Sequence, residues 1–175
     1  MGTSTKKIFF VSDTHFGTEN IIKCCRRPFS SVEEMNVVMV DNWNSVVMPG
    51  DEVYHLGDLA FFRKDNDLPS FLKQLNGVKH LIKGNHDKYS RKLFRDSGFF
   101  DIIHTPLAFH GFLLSHEPVE FGSHRCQANI HGHIHDGRKE HFINGKNIYY
   151  NVSVEHHNYT PVAFDKILEY YGKQV

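Results

Sequence analysis

Short apolar runs recur along the chain, and most of them end in the same way. Ile8–Val11, Val53–Leu56, His80–Ile82 and Phe112–Leu114 are brief stretches of mainly apolar side chains bounded by Gly or polar residues. Runs this short suit strands of a sheet covered on both faces. A weaker run follows at Ala128–Ile130, and Asn147–Val154 alternates and carries β-branched residues. Between the strands the period changes. Val32, Met35, Met39, Trp43 and Val46 recur at three-to-four spacing, which predicts a helix with one apolar face. Ser31 followed by Glu34 predicts a capping box at its start. Leu68, Phe71, Leu72 and Leu75 form a second stripe, with Gly77 as the expected C-cap. A short helix is expected over Tyr89–Ser97, stopping at Gly98, and a last one over Lys166–Tyr171, capped by Asp165. Strand and helix alternate in the first half, which predicts an α/β fold. The second half is richer in strands and hairpins. No repeat, low-complexity segment or linker interrupts the chain, so residues 1–175 are expected to form one domain without a separate cap domain.

Composition narrows the function. Lys plus Arg total 20 and Asp plus Glu total 20, a balance that argues against coating nucleic acid through bulk charge. A nucleotide held at one site stays open. The chain carries 14 histidines, and His is the commonest metal ligand and a proton carrier near neutral pH. Cys24 and Cys25 are adjacent and Cys126 is distant, which suggests neither a disulfide framework nor a thiolate zinc site. No apolar run is long enough to span a membrane, and Met1–Lys7 has no signal-peptide pattern. The expected location is a reducing cytoplasm, with no membrane partner.

The chemistry lies where the strands end. Ile8–Val11 runs into Asp13 and His15, and Val53–Leu56 into Gly57-Asp58. Leu81-Ile82 runs into Gly84-Asn85-His86-Asp87, Phe112–Leu114 into His116, and Ala128–Ile130 into His131, His133 and His135. Carboxyl ends of strands form the ligand-binding edge of α/β sheets, so these groups are expected to meet. Carboxylates, imidazoles and one amide, with no thiolate, favour divalent first-row ions over a structural zinc knot. Seven such ligands suit two metals with one bridging carboxylate. Two ions about 3.5–4 Å apart can hold a bridging hydroxide as nucleophile and polarise a phosphoryl oxygen. The leaving oxygen then needs an acid. His86 is the candidate, with Asp87 beside it to fix its tautomer.

Asp13-x-His15, Gly57-Asp58, Gly84-Asn85-His86-Asp87, His116 and Gly132-His133-x-His135 together resemble the complete signature of the calcineurin-like metallophosphoesterase superfamily. The resemblance implies a four-layer α/β/β/α sandwich. It also implies that Asp13, His15 and His135 hold one metal, that Asn85, His116 and His133 hold the other, and that Asp58 bridges. His86 would contact the scissile phosphate or protonate the leaving group. Ser12–Gly17, Asn20-Ile21-Ile22, Arg27-Pro28-Phe29, Asn151–Glu155 and Pro161-Val162 are similar to a small phage and bacterial subgroup, so a phage protein would work in its host's cytoplasm. That subgroup has His after Phe-Gly. Here the residue is Thr18, which leaves a substrate contact at that position unassigned.

The expected activity is hydrolysis of phosphate esters, with diesters of nucleotide size favoured because little chain is left to enclose a small monoester. A phosphomonoesterase acting on a small nucleotide or sugar phosphate is the alternative. A non-catalytic scaffold on the same fold predicts eroded ligands, and none is eroded. Manganese is the expected ion, with iron, nickel, zinc or magnesium as alternatives. Arg27, His124 and Arg125 are candidate phosphate contacts, since a guanidinium fork matches phosphate oxygens. Phe61 and Phe62 beside Arg63 could stack on a base, but Phe is more often a core residue. His55 lies within a strand run, and His131 would share a face with His133 and His135 in an extended stretch; a supporting or packed role is expected for both.

Overall fold

The computed structural model describes residues 5–62, 67–121, 126–135, 141–144 and 147–173. The expected strands form, in two five-stranded sheets. In the first, β1 (Ile8–Val11), β2 (Glu52–His55), β3 (Val78–Ile82) and β4 (Phe99–Ile103) run parallel. Strand β10 (Val162–Ala163) adds an antiparallel edge beside β1. In the second, β6 (Phe112–Leu114), β7 (Ala128–His131) and β9 (Asn147–Asn151) are parallel. Antiparallel hairpin partners flank them, β5 (Leu107–Phe109) on one side and β8 (His141–Asn144) on the other.

Two cores follow from strand alternation, because successive side chains point to opposite faces. Phe9, Val11, Val53 and Leu81 face helix α2 (Val32–Val46), whose Met35, Met39 and Trp43 are buried against them. Helices α3 (Asp67–Leu72) and α4 (Arg91–Asp96) add Leu68, Leu72 and Phe94 to that core, and α1 (Glu19–Cys24) packs Ile21 and Ile22 on it. Phe10 and Ile82 point the other way and meet Phe112, Leu114, Ile130, Ile148 and Tyr150 of the second sheet. Helix α5 (Phe164–Gly172) adds Ile167, with Phe164, Tyr170 and Tyr171, to this inter-sheet core. The fold is thus α/β, two mostly parallel sheets with helices beside them.

Local signals hold with small shifts. Ser31 Oγ accepts the Glu34 amide, but the Glu34 carboxylate returns to the amide and hydroxyl of Ser30, one residue earlier than a capping box places it. Ser90 caps α4 by accepting the Leu93 amide. Asp165 sits inside the first turn of α5 instead of capping it, where its charge still opposes the helix dipole. No helix among the described residues is long and apolar enough to cross a membrane.

Phe10 is wholly buried and contacts Tyr54, Phe109 and Phe164, which ties both sheets to α5. Phe10→Ala is expected to lower the unfolding free energy by about 3–5 kcal/mol in a denaturant titration. A loss under about 1 kcal/mol would mean that the inter-sheet contact is not a main source of stability.

Candidate metal centre

Parallel pairing sends the carboxyl ends of β1, β2 and β3 to one edge, and those of β6, β7 and β9 to one edge of the second sheet. The two edges are stitched together just past the strands. Ser12 bridges Ser153, donating its amide to Val152 O and accepting the Val154 amide. Within the first edge Asp13 N donates to Gly57 O and His15 N to Asp58 O, and within the second Gly132 N donates to His116 O. The chain turns sharply at these points. Asp13, His15, Asp58 and His133 adopt φ of 59°, 48°, 57° and 69°. Left-handed backbone at a residue with a side chain costs about 1–3 kcal/mol and persists where surrounding contacts impose it, commonly at functional sites. Gly84 and Gly132 lie so close that a Cβ would collide with Asp58 and Asp13 respectively. Their role is to let backbone approach these carboxylates.

All seven expected ligands converge, and their free atoms point inward. Asp13 Oδ2 accepts the His133 amide at 2.9 Å and Ser153 Oγ at 2.8 Å. Its Oδ1 is buried without a partner, 3.5 Å from His135 Nε2. His15 Nε2 is likewise buried and unpartnered, 3.6 Å from Asp58 Oδ2. Asp58 Oδ1 accepts the His86 amide, which leaves Oδ2 between His15 and His116, whose Nε2 lies 3.5 Å away. His116 Nδ1 donates to Leu56 O, so in the neutral ring Nε2 holds a lone pair. That lone pair faces Asn85 Oδ1 at 2.9 Å and His133 Nδ1 at 3.2 Å. Acceptors this close repel unless a cation or a proton lies among them. Asp13, His15 and His135 form one group that could hold an ion, and Asp13, Asp58 and His116 another. The residues therefore fit divalent metal ions.

The electrostatics point the same way. Burial pushes the His15 imidazole down to about 4 against the pull of Asp13 and Asp58, so it is a neutral donor at pH 7. Burial also opposes charge on His116, but Asp58, Asp13 and the Leu56 carbonyl outweigh it and raise the imidazole. For Asp58, burial is outweighed by His116, the His86 amide and His15, which hold the carboxyl low. A buried carboxylate drawing protons onto imidazoles marks a site that wants positive charge.

Supporting residues fix the loops. His55, wholly buried, accepts the Gly57 amide at Nδ1, so Nε2 donates to Thr14 Oγ1, whose own proton goes to Leu59 O. His131 is buried within β7, and its Nδ1 contacts Gly132 O. His86 is exposed at the rim, its ring 5.6 Å from that of His15. Asn85 and His133 are also exposed, which leaves this side open to a substrate.

Two sequence expectations need correction. Asp87 does not orient His86. Its carboxylate is buried and accepts the amides of Asp58, Leu59 and Gly84, tying the second and third ligand loops together. Arg27 does not face a phosphate. Its guanidinium donates to Asp13 O, Thr14 O, Met35 Sδ and, twice, Glu155 Oε1. These five bonds use all five N–H donors. Thr18 lines a cleft of about 590 Å³ with Gly17, Asn20, Asn36, Phe61 and Phe62. Arg63, His124 and Arg125 lie outside the described residues. Ser153 and Glu155 are the site residues that the strand-end pattern missed. They follow β9 just as the other ligands follow their strands, but the β-branched run to Val154 disguised where that strand stops.

No family model matches the chain. The solved structure of AQ665, a protein of unknown function from Aquifex aeolicus, aligns over 94% of this chain and 99% of its own, with a TM-score of 0.75 and 28% identity. The nuclease MPE of Pseudomonas putida aligns over 72% of this chain and 60% of its own at a TM-score of 0.49 and 20% identity, too distant to carry function. The Methanocaldococcus jannaschii protein MJ1445, described as uncharacterized, is 42% identical over 95% of this chain and 92% of its own length. The chain belongs to the family of MJ1445.

Proposed function

We propose that the protein is a hydrolase of phosphate esters that works with two divalent cations and favours diesters of about nucleotide size. The observation that supports this reading is the convergence of unpartnered ligand atoms, Asp13 Oδ1 and His15 Nε2 above all, on the shared Asp58 carboxylate. Asp13, His15 and His135 would hold one ion; Asn85, His116 and His133 would hold the other; Asp58 would serve both. The donor set suits manganese, with iron, nickel, zinc or magnesium as alternatives. When bound, such a pair activates water and polarises a phosphoryl oxygen.

The chain's own groups supply the rest. His86 is pinned through its amide to Asp58 Oδ1, while its ring stands at the open rim beside His15. From there it donates a proton to the leaving oxygen. Asn85 and His116 also border a slot of about 300 Å³ lined by Ile82, Pro106 and Val119 together with Lys83, His104 and Glu117. A partly apolar slot next to the ligands suits the second arm of a diester. Arg27 is committed elsewhere, which removes a donor that a dianionic monoester would use. A scaffold without activity has no need for a complete ligand set. The reading includes a single catalytic domain without a cap.

Asp58→Ala is expected to abolish turnover and reduce bound manganese. His86→Ala is expected to keep its manganese while kcat falls about 10²–10⁴-fold. Turnover assays paired with metal analysis read both effects, and near-normal activity in either variant would refute the mechanism. The diester preference is tested by comparing bis-p-nitrophenyl phosphate with p-nitrophenyl phosphate. Higher kcat/KM is expected for the diester, and a strong preference for the monoester would overturn that choice.

A further inference from the structure

We infer that Arg27 and Glu155 act as a positioning pair that builds one of the two metal sites, the one formed by Asp13, His15 and His135. The inference rests on the two-metal reading and assigns a task to residues outside the ligand set. Glu155 lies in the 3₁₀ turn Val154–His157 that follows β9, and its side chain is 10% exposed. Its Oε1 sits 2.7 Å from His135 Nδ1. That bond keeps a proton on Nδ1, so Nε2, 3.5 Å from Asp13 Oδ1, is the nitrogen left to face an ion once it gives up its own proton. A carboxylate behind a ligating imidazole fixes ring orientation and strengthens the ligand.

Arg27 makes the arrangement rigid. Nε and one terminal nitrogen grip the same Glu155 oxygen, at 2.9 and 2.7 Å. The other contacts reach Asp13 O at 2.6 Å and Thr14 O at 2.9 Å. One guanidinium thus holds the left-handed turn that presents Asp13, and also holds the carboxylate that presents His135. Its positive charge balances Glu155, so the acceptor behind His135 adds little net negative charge to the site. The guanidinium is fully buried, and a lysine cannot span these partners because it lacks the planar fork.

A rival use of the same atoms is visible. Cys25, His135 and Glu155 also come close enough to hold an ion. In that arrangement His135 would ligate through Nδ1. The present geometry argues against it, because Nδ1 is engaged by Glu155 and the Arg27 charge lies directly behind.

The test is manganese binding to metal-free protein by equilibrium dialysis, with wild type, Glu155→Gln, Arg27→Lys and Cys25→Ser compared. Wild type is expected to take two ions. Glu155→Gln keeps the size of the side chain and should weaken one ion about 10–100-fold while sparing the other. Arg27→Lys should weaken the same ion. Cys25→Ser should leave both unchanged. For a positioning role, excess manganese should restore kcat in Glu155→Gln. Two ions bound at wild-type affinity in both Glu155→Gln and Arg27→Lys would overturn the inference, as would loss of an ion in Cys25→Ser alone. Failure of wild type to bind two ions would instead overturn the two-metal reading.

Discussion

The structure depends on the crowding of ligand-type groups around one buried carboxylate, Asp58. Its Oδ2 lies 3.6 Å from His15 Nε2 and 3.5 Å from His116 Nε2, and the second of these faces two more acceptors. Without a metal ion Asp58 draws a proton onto His116, while burial keeps His15 neutral and leaves its Nε2 without a partner. A soluble fold would ordinarily fill such a place with apolar side chains. Here the arrangement is held by many contacts, each made by the part of a residue that the centre does not use.

That division of labour recurs at Asp13, Asp58 and His116. Asp13 is anchored through Oδ2 and offers Oδ1, and Asp58 is anchored through Oδ1 and offers Oδ2. His116 is anchored through Nδ1 at a backbone carbonyl and offers Nε2. Backbone shape does the rest. Left-handed turns at four ligands reverse the chain immediately after its strands, so that side chains from two sheets meet at one point. Asp87, Arg27 and the closely packed Gly84 and Gly132 keep those turns from relaxing.

Much of this was legible in the sequence, for a physical reason. Apolar runs that end in Asp, Asn or His report both the strand and its polar end, so the seven candidate ligands stood out before any geometry was known. The apolar face of the first long helix was legible as well, since Met35, Met39 and Trp43 recur at helical spacing, whereas the division of the interior into two cores was not. The strands β4, β5, β8 and β10 were not, because their stability comes from neighbours rather than from their own pattern. The roles of polar residues were the least legible. Arg27 followed by a proline looks like a surface phosphate contact, and only the fold shows that carbonyls from the first loop and a carboxylate 128 residues away consume it. Asp87 next to His86 looks like its partner, yet adjacent residues point apart, and the carboxylate turns toward the amides of the neighbouring loop.

The central claim is that one buried carboxylate joins two metal ions. The most direct measurement is low-temperature electron paramagnetic resonance during titration of metal-free protein with manganese. Two equivalents should bind, and the second should convert the spectrum into the multiline signal of an exchange-coupled pair, because Asp58 would touch both ions. Saturation at one equivalent, or two equivalents that keep the six-line signal of isolated ions, would contradict it.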